Sequence, residues 1–150
     1  MVTLRSFLAT FRRPTTKALG VNMKLFEISH FYLGKVTDNS RFGNFLEEIY
    51  IEKEDDQPLS EFYGSQGEVF CDHDFMEVGF REHQQSLALF FAPYSYAEYW
   101  SESVCAKAKT LGLEDANALI FISKEQIDKP RSVTEKGFEL VYIGEYKYPI

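Results

Sequence analysis

The stretch KLFEISHFYL occupies residues 24–33 and is followed by Gly34. Its aromatic and β-branched side chains, bounded by a glycine, are typical of a β-strand, so we predict the first strand here. Two short continuous apolar runs, LALFF at residues 87–91 and NALIFIS at residues 117–123, predict buried strands. We expect LALFF to be a central strand of the sheet.

Two further stretches are expected to be extended. In residues 69–80, VFCDHDFMEVGF, the candidate buried positions are Phe75, Val78 and Phe80. Residues 138–148 alternate loosely between apolar and polar side chains, and Pro149 follows them. Because proline has no backbone N–H, this last strand is expected at an edge of the sheet.

Two helices are predicted from apolar spacing and capping residues. The first begins at Asp38 or Asn39, both good N-caps, and its apolar side chains recur at i, i+3, i+4 and i+7. These side chains are Phe42, Phe45, Leu46 and Ile49. The second begins at Ser95, where Glu98 completes a capping box, and ends at Gly112.

The order of these elements predicts an α+β fold. We expect a mostly antiparallel sheet of about five strands, with the two main helices on one face in a split βαβ-like arrangement. The chain has 150 residues, which is the size of one ordinary domain. Residues 23–150 are therefore expected to form a single α+β domain, preceded by a basic extension at residues 1–22.

The charge is unevenly spread along the chain. The extension carries +4 and no acidic residue, so residues 23–150 carry −11 although the whole chain carries −7. Apolar side chains recur at helical spacing before Pro14, which predicts a short amphipathic helix. These side chains are Leu4, Phe7, Leu8 and Phe11. We expect this helix to pack on the body of the protein or on a neighbouring chain.

Composition narrows the classes of function. A net negative charge disfavours nucleic acid as a direct partner, because the phosphate backbone would repel this surface. No apolar run approaches the roughly 20 residues of a membrane span. The two cysteines are too few for a disulfide framework, so we expect reduced thiols and a cytoplasmic location. Nothing in the sequence predicts a cofactor.

The triplet Asp72-His73-Asp74 is the densest group of catalytic residue types. Together with His30 it could form a metal site or the centre of a small hydrolase. On a strand, however, Asp72 and Asp74 would point to one side and His73 to the other, which disfavours a shared site. The alternative is that the carboxylates hold backbone N–H groups. Acidic neighbours also make Cys71 a poor nucleophile, and we predict no enzymatic activity.

A stronger signal is the acidic stretch from Glu47 to Glu61, which has a net charge of −6. Such a run is either a solvated face or an anionic docking surface for a basic protein. Aromatic residues interleave with it, and of these Tyr63 is expected at the surface more than Phe70. The predicted partner-binding residues are Glu47, Glu48, Glu52, Glu54, Asp55, Asp56, Glu61, Tyr63, Asp72 and Asp74.

Four motifs occur in a characteristic order. They are PLSEF from Pro58, CDHDFMEVGF from Cys71, the Tyr94-Ser95-Tyr96 helix start, and EDANALIFI from Glu114. With the Phe31-Tyr32-Leu33-Gly34 strand end, they resemble the immunity protein 22 family over residues 25–123. Tyr32 stands where the family pattern has tryptophan.

The resemblance implies function by binding. Such immunity proteins accompany bacterial polymorphic toxins and cover the active site of a cognate toxin, often a nuclease. A nuclease surface is basic because it binds phosphates, so an acidic inhibitor would complement it. The other hypothesis from the residues is a homo-oligomeric interaction domain, such as a homodimer, that uses the aromatic excess and the basic extension.

Overall fold

The computed structural model describes residues 25–50 and 55–150. Its strands form one antiparallel sheet in the order β2-β3-β1-β5-β4. They are β1 (Phe26–Val36), β2 (Met76–Phe80), β3 (Ala118–Ser123), β4 (Val133–Glu135) and β5 (Phe138–Pro149). The helices are α1 (Asn39–Leu46), α2 (Glu61–Ser65), α3 (Leu87–Phe91) and α4 (Ala97–Thr110). The α+β class is thus confirmed, whereas the predicted N-terminal helix lies outside the described residues.

The side chains of β1 alternate between two buried cores, one on each face of the sheet. Phe31 and Leu33 belong to the core that α3 and α4 cover, and Tyr32 belongs to the core that α1 and α2 cover. A strand that is buried on both faces is apolar at successive positions rather than at alternate ones. This is the physical basis of the continuous Phe31-Tyr32-Leu33 run in β1.

The helices differ from the prediction in their placement, because they lie on both faces rather than on one. The α1–α2 segment connects β1 to β2 across one face, and the α3–α4 segment connects β2 to β3 across the other. Both faces of β1 and β3 are apolar, so helices must pack against each face of the sheet to exclude water. The split βαβ arrangement is present, since β1 and β2 run in the same direction with antiparallel β3 between them.

The LALFF run is helix α3 and not the predicted central strand. The Ser86 hydroxyl accepts a hydrogen bond from the Leu89 N–H at 3.2 Å and so caps the helix. Helical spacing buries Phe90 and Phe91 while Leu89 is exposed. A five-residue apolar run suits a buried strand and one helical turn equally well, and here the cap decides between them.

Helix α4 begins at Ala97, later than predicted, and the expected capping box at Ser95 does not form. The N-cap is Tyr96, whose φ of 61° is left-handed and whose side chain makes no capping hydrogen bond. Instead, the Ser95 N–H donates to Glu77 Oε1 at 3.3 Å, and the Trp100 indole donates to the Ser95 carbonyl at 2.8 Å. Contacts to β2 and to the core thus fix the start of this helix.

The stretch predicted as one strand at residues 69–80 is extended only in its last part. A 3-10 turn at His73–Phe75 precedes β2. The Asp72 carboxylate caps this turn by accepting a hydrogen bond from the Asp74 N–H at 3.0 Å. Consequently Val78 is buried as predicted, whereas Phe75 is exposed.

Strand β5 has a neighbour on one side along its length and on the other only at its start. Strand β4 pairs only with Phe138–Leu140 of β5. Among the described residues, the second half of β5 therefore has no strand on that side, and only this half lies at an edge as predicted. There Ile143 forms a bulge opposite β1, and Lys147 and Pro149 follow. Bulges, lysine and proline are devices that prevent an edge strand from pairing with another chain.

Candidate partner-binding surface

Three chain segments lie side by side beyond the end of α1. The Ile49 N–H donates to the Leu59 carbonyl at 2.8 Å, and the Leu59 N–H donates to the Val69 carbonyl at 2.8 Å. These bonds join residues 47–50, 55–60 and 68–75, which we call the acidic loop surface. Backbone hydrogen bonds between successive loop segments hold this surface together.

The acidic loop surface contains seven carboxylates and no lysine or arginine. Asp55, Asp56 and Asp74 are exposed. The adjoining loop carries Lys129 and Arg131, and it is tied to the surface where the Asp128 N–H donates to Glu68 Oε1 at 3.1 Å. The seven carboxylates belong to Glu47, Glu48, Asp55, Asp56, Glu68, Asp72 and Asp74.

Large apolar side chains are exposed on the same segments. Nine such side chains are exposed among the described residues, and five of them lie on the acidic loop surface. Scattered apolar residues are ordinary on a protein surface, but a group of this kind marks an interaction site. The five are Ile49, Tyr50, Val69, Phe70 and Phe75.

Glu48 is the polar centre of the surface. Its side chain is only 10% exposed, and its carboxylate lies 2.8 Å from His73 Nδ1 and accepts a hydrogen bond from the Tyr50 hydroxyl at 2.7 Å. The hydrogen bond to Glu48, followed by burial, raises the pKa of Tyr50 to about 12. Tyr50 and His73 are both exposed in part, so Glu48 fixes the orientation of two side chains that solvent can reach.

Two glutamines connect the acidic loop surface to the rest of the fold. Gln126 Oε1 accepts from the Asp72 N–H at 2.7 Å, and the Gln126 carbonyl accepts from the Cys71 thiol. Buried Gln66 bonds the Tyr32 hydroxyl as well as the N–H and the carbonyl of Arg131. Because the Gln66 amide uses both its oxygen and its nitrogen in hydrogen bonds, and Gln126 ties two neighbouring residues of the surface, the loops are held in one arrangement before any partner binds.

Six of the ten predicted partner-binding residues come together on this surface. They are Glu47, Glu48, Asp55, Asp56, Asp72 and Asp74. Glu61 is instead engaged with α1 and β4, because its carboxylate pairs with Arg41, which also pairs with Glu135. Glu52 and Glu54 lie outside the described residues.

The prediction for Tyr63 and Phe70 was wrong in both cases. Tyr63 is 1% exposed and packs in the core under α1 and α2, so it cannot contact a partner in this structure. Burial, and then the nearby charge of Glu48, raises the pKa of its phenol. Phe70 is 61% exposed. Residues 69–72 are irregular rather than a β-strand. The in-and-out alternation of strand side chains therefore does not determine the direction of Phe70.

The hydrolase alternative does not match the geometry. His30 is buried, its Nε2 donates to the Ile127 carbonyl at 2.9 Å, and its Nδ1 lies 3.0 Å from the Tyr142 hydroxyl. Both ring nitrogens are therefore used within the core, and His73 is instead paired with Glu48. Among the described residues, no group of three or more His, Cys, Asp or Glu side chains could hold a metal ion.

Cys71 has the properties expected of a structural thiol. It is buried, and burial, followed by the charges of Glu68 and Glu48, raises its pKa to about 12. A nucleophilic cysteine needs a lowered pKa, because the thiolate is the reactive form. This agrees with the reading of Cys71 as a poor nucleophile.

The sequence pattern of one protein family, described as Immunity protein 22, matches residues 30–149. This match includes the final strand β5, which lay outside the resemblance found in the sequence motifs. No curated protein and no solved structure matches the chain. In the part of the chain that the structure describes, no helix is long and apolar enough to cross a membrane.

Proposed function

The chain belongs to the Immunity protein 22 family, and on that premise we propose that it neutralises a cognate bacterial toxin by binding a basic surface of the toxin domain through the acidic loop surface. Membership of an immunity family suggests a toxin-neutralising role. The observation that carries the finer proposal is the coincidence, on three adjacent segments, of seven carboxylates with five exposed apolar side chains.

Charge supports a basic partner. The described segments of the surface carry carboxylates and no lysine or arginine. They produce a local negative potential, which steers a cationic protein to this surface and accelerates association. A nuclease-like toxin domain fits because it must present positive charge to bind phosphates. Binding there would place the acidic residues where the nucleic acid otherwise lies, which inhibits the toxin without any chemical step.

The apolar side chains supply the affinity that exposed charges lack. Exposed ion pairs contribute about 0–1 kcal/mol each, whereas buried aromatic anchors dominate the energies of protein interfaces. Tyr50 and Phe70 are the most exposed aromatic side chains of the surface. Glu48 already orients Tyr50, so little conformational entropy is lost when a partner covers it.

The electrostatic part is tested by titrating the protein with the toxin domain encoded by the adjacent gene, at low and high salt. Reversing Asp55, Asp56 and Asp74 to lysine should weaken binding at low salt by at least about tenfold. A matched control reverses three exposed acids on α4, on the loop before β3 and on β5. These are Glu102, Glu114 and Glu139. Equal loss in both variants, or binding indifferent to salt and to the first variant, would contradict the proposal.

The contribution of the exposed apolar side chains to binding is tested with a matched pair of variants. Phe70 and Leu89 are 61% and 62% exposed, and Leu89 lies on α3, which covers the opposite face of the sheet. Phe70→Ser should lower affinity by about 30-fold, as expected for an anchor worth about 2 kcal/mol, whereas Leu89→Ser should leave it unchanged. If Leu89→Ser weakens binding and Phe70→Ser does not, the toxin binds the α3–α4 face instead.

A further inference from the structure

We propose that residues 1–22 of this chain dock on its own acidic loop surface and compete there with any basic partner. The proposal uses the surface described above, but not the identity of a toxin. It assigns to the basic extension a binding site within the same molecule. It also means that a partner must displace this segment before it can bind.

The direction in which β1 enters the sheet places Leu25, where the described chain begins, at the end of the sheet that adjoins the surface. Ser29 of β1 is opposite Ser123 of β3, and Met76 of β2 is opposite Ile122. The start of β1, the end of β3 and the start of β2 therefore lie at one end of the sheet. The His73–Phe75 turn leads into β2 at this same end.

The distance to be covered is short. Strands β1 and β2 are separated only by β3, which corresponds to about 10 Å across the sheet. The described chain begins at Leu25, whose carbonyl accepts from the Ile150 N–H at 3.0 Å beside the start of β1. Residues 12–24 alone can extend over about 45 Å, which is more than sufficient. A segment tethered this closely has a millimolar effective concentration at its site.

The extension and the surface are complementary in charge and in apolar character. Residues 1–22 carry +4 without an acid, and the acidic loop surface has seven carboxylates without lysine or arginine. The extension also has apolar side chains that would bury the exposed Tyr50 and Phe70 on contact. These are Leu4, Phe7, Leu8 and Phe11. The outward side of α4 fits less well, because it carries Glu102 together with Lys107 and Lys109.

Amide NMR spectra of the full chain test the proposal without a toxin. The variant Arg5→Gln, Arg12→Gln, Arg13→Gln removes three charges from the extension and keeps its apolar stripe. Its amide shifts should differ from those of the wild type within residues 1–24 and at residues 47–50, 55–60 and 68–75. Adding 0.5 M salt to the wild type should reproduce most of the change at the loop surface, because salt of roughly this strength screens exposed charges. The matched control is Lys107→Gln, Lys109→Gln, Lys136→Gln, which should leave the loop surface unchanged.

Each other outcome overturns the proposal. Shifts confined to residues 1–24 would mean that the extension does not dock on the described residues. Shifts on α3 and α4 would place it on the opposite face of the sheet. Shifts at the loop surface that grow with protein concentration would show that a second copy supplies the segment. The toxin titration is measured separately, so self-docking can fail while toxin binding stands, and the reverse is equally detectable.

Discussion

Asp72 shows how one residue can serve the fold and the surface together. Its carboxylate caps the His73–Phe75 turn, while its charge adds to the acidic loop surface. From the sequence these two roles could not be separated, because an aspartate at this position is compatible with both. The structure identifies the hydrogen bond to the Asp74 N–H and so makes the two roles separately testable.

Replacing Asp72 in two ways should separate the cap from the charge. Asp72→Ala removes the acceptor and should destabilise the protein by about 1 kcal/mol in urea unfolding. Asp72→Asn keeps an acceptor oxygen and removes the charge, so its stability should stay within about 0.5 kcal/mol of the wild type. If Asn destabilises as much as Ala, the charge rather than the cap supports the turn.

The burial of an aromatic side chain depends on the secondary structure in which it lies, as Tyr63 and Phe70 show. Tyr63 and Phe70 are both aromatic residues two positions after an acidic one, which is Glu61 for Tyr63 and Glu68 for Phe70. What separates them is secondary structure. Tyr63 is on the inward side of α2, whose N-cap Ser60 accepts from the Tyr63 N–H, and Phe70 is in an irregular loop. Local sequence does not specify which way a loop residue points.

At the scale of elements, β2 and the segment before α4 fit together through a glycine. A Cβ at Gly79 would lie 2.1 Å from the Tyr94 hydroxyl oxygen, far inside contact distance. Strand β2 therefore accommodates the tyrosine ring only because residue 79 has no side chain. Gly43 in α1 has no neighbouring atom within 4 Å of the corresponding position, so its lack of a side chain serves no packing role.

The same substitution at these two glycines should have opposite effects. Gly79→Ala should destabilise the protein by about 1–3 kcal/mol, because Tyr94 must leave its place on β2. Gly43→Ala should stabilise it by about 0.5–1 kcal/mol. Alanine has less conformational freedom than glycine in the unfolded chain, so less entropy is lost when the helix forms. Thermal unfolding of the two variants measures both effects. A Gly79→Ala protein as stable as the wild type would show that Tyr94 moves freely.

At the scale of the whole molecule, the sheet is shared by two cores. The core under α1 and α2 contains Leu46, and the core under α3 and α4 contains Trp100, which is the only tryptophan of the chain. Because β1, β3 and β5 line both cores, neither core can form without the sheet. The two faces should therefore unfold together.

Trp100 fluorescence can test this coupling from the opposite face. Leu46→Ala should remove about 2–5 kcal/mol of stability and lower the urea midpoint that Trp100 reports, although Leu46 lies on the other side of the sheet. The control Leu89→Ala changes an exposed leucine on the face of Trp100 itself and should cost less than about 0.5 kcal/mol. An unchanged Trp100 transition in Leu46→Ala would show that the faces unfold independently.

The sequence by itself determined the α+β class, the strands β1 and β3, the main helices α1 and α4, and the acidic character of the 47–61 region. These properties follow from composition and from apolar spacing, which are local. It also contained the motifs of the Immunity protein 22 family, and the family match extends them to residue 149.

Only the tertiary structure decided what depends on contacts between distant segments. It placed the helices on both faces, buried Tyr63 and exposed Phe70. It also joined residues 47–50, 55–60 and 68–75 into one surface through the hydrogen bonds of Leu59 and the pairing of Glu48 with His73. The physical reason is that burial and orientation are set by partners far away in the chain, and local sequence does not specify those partners.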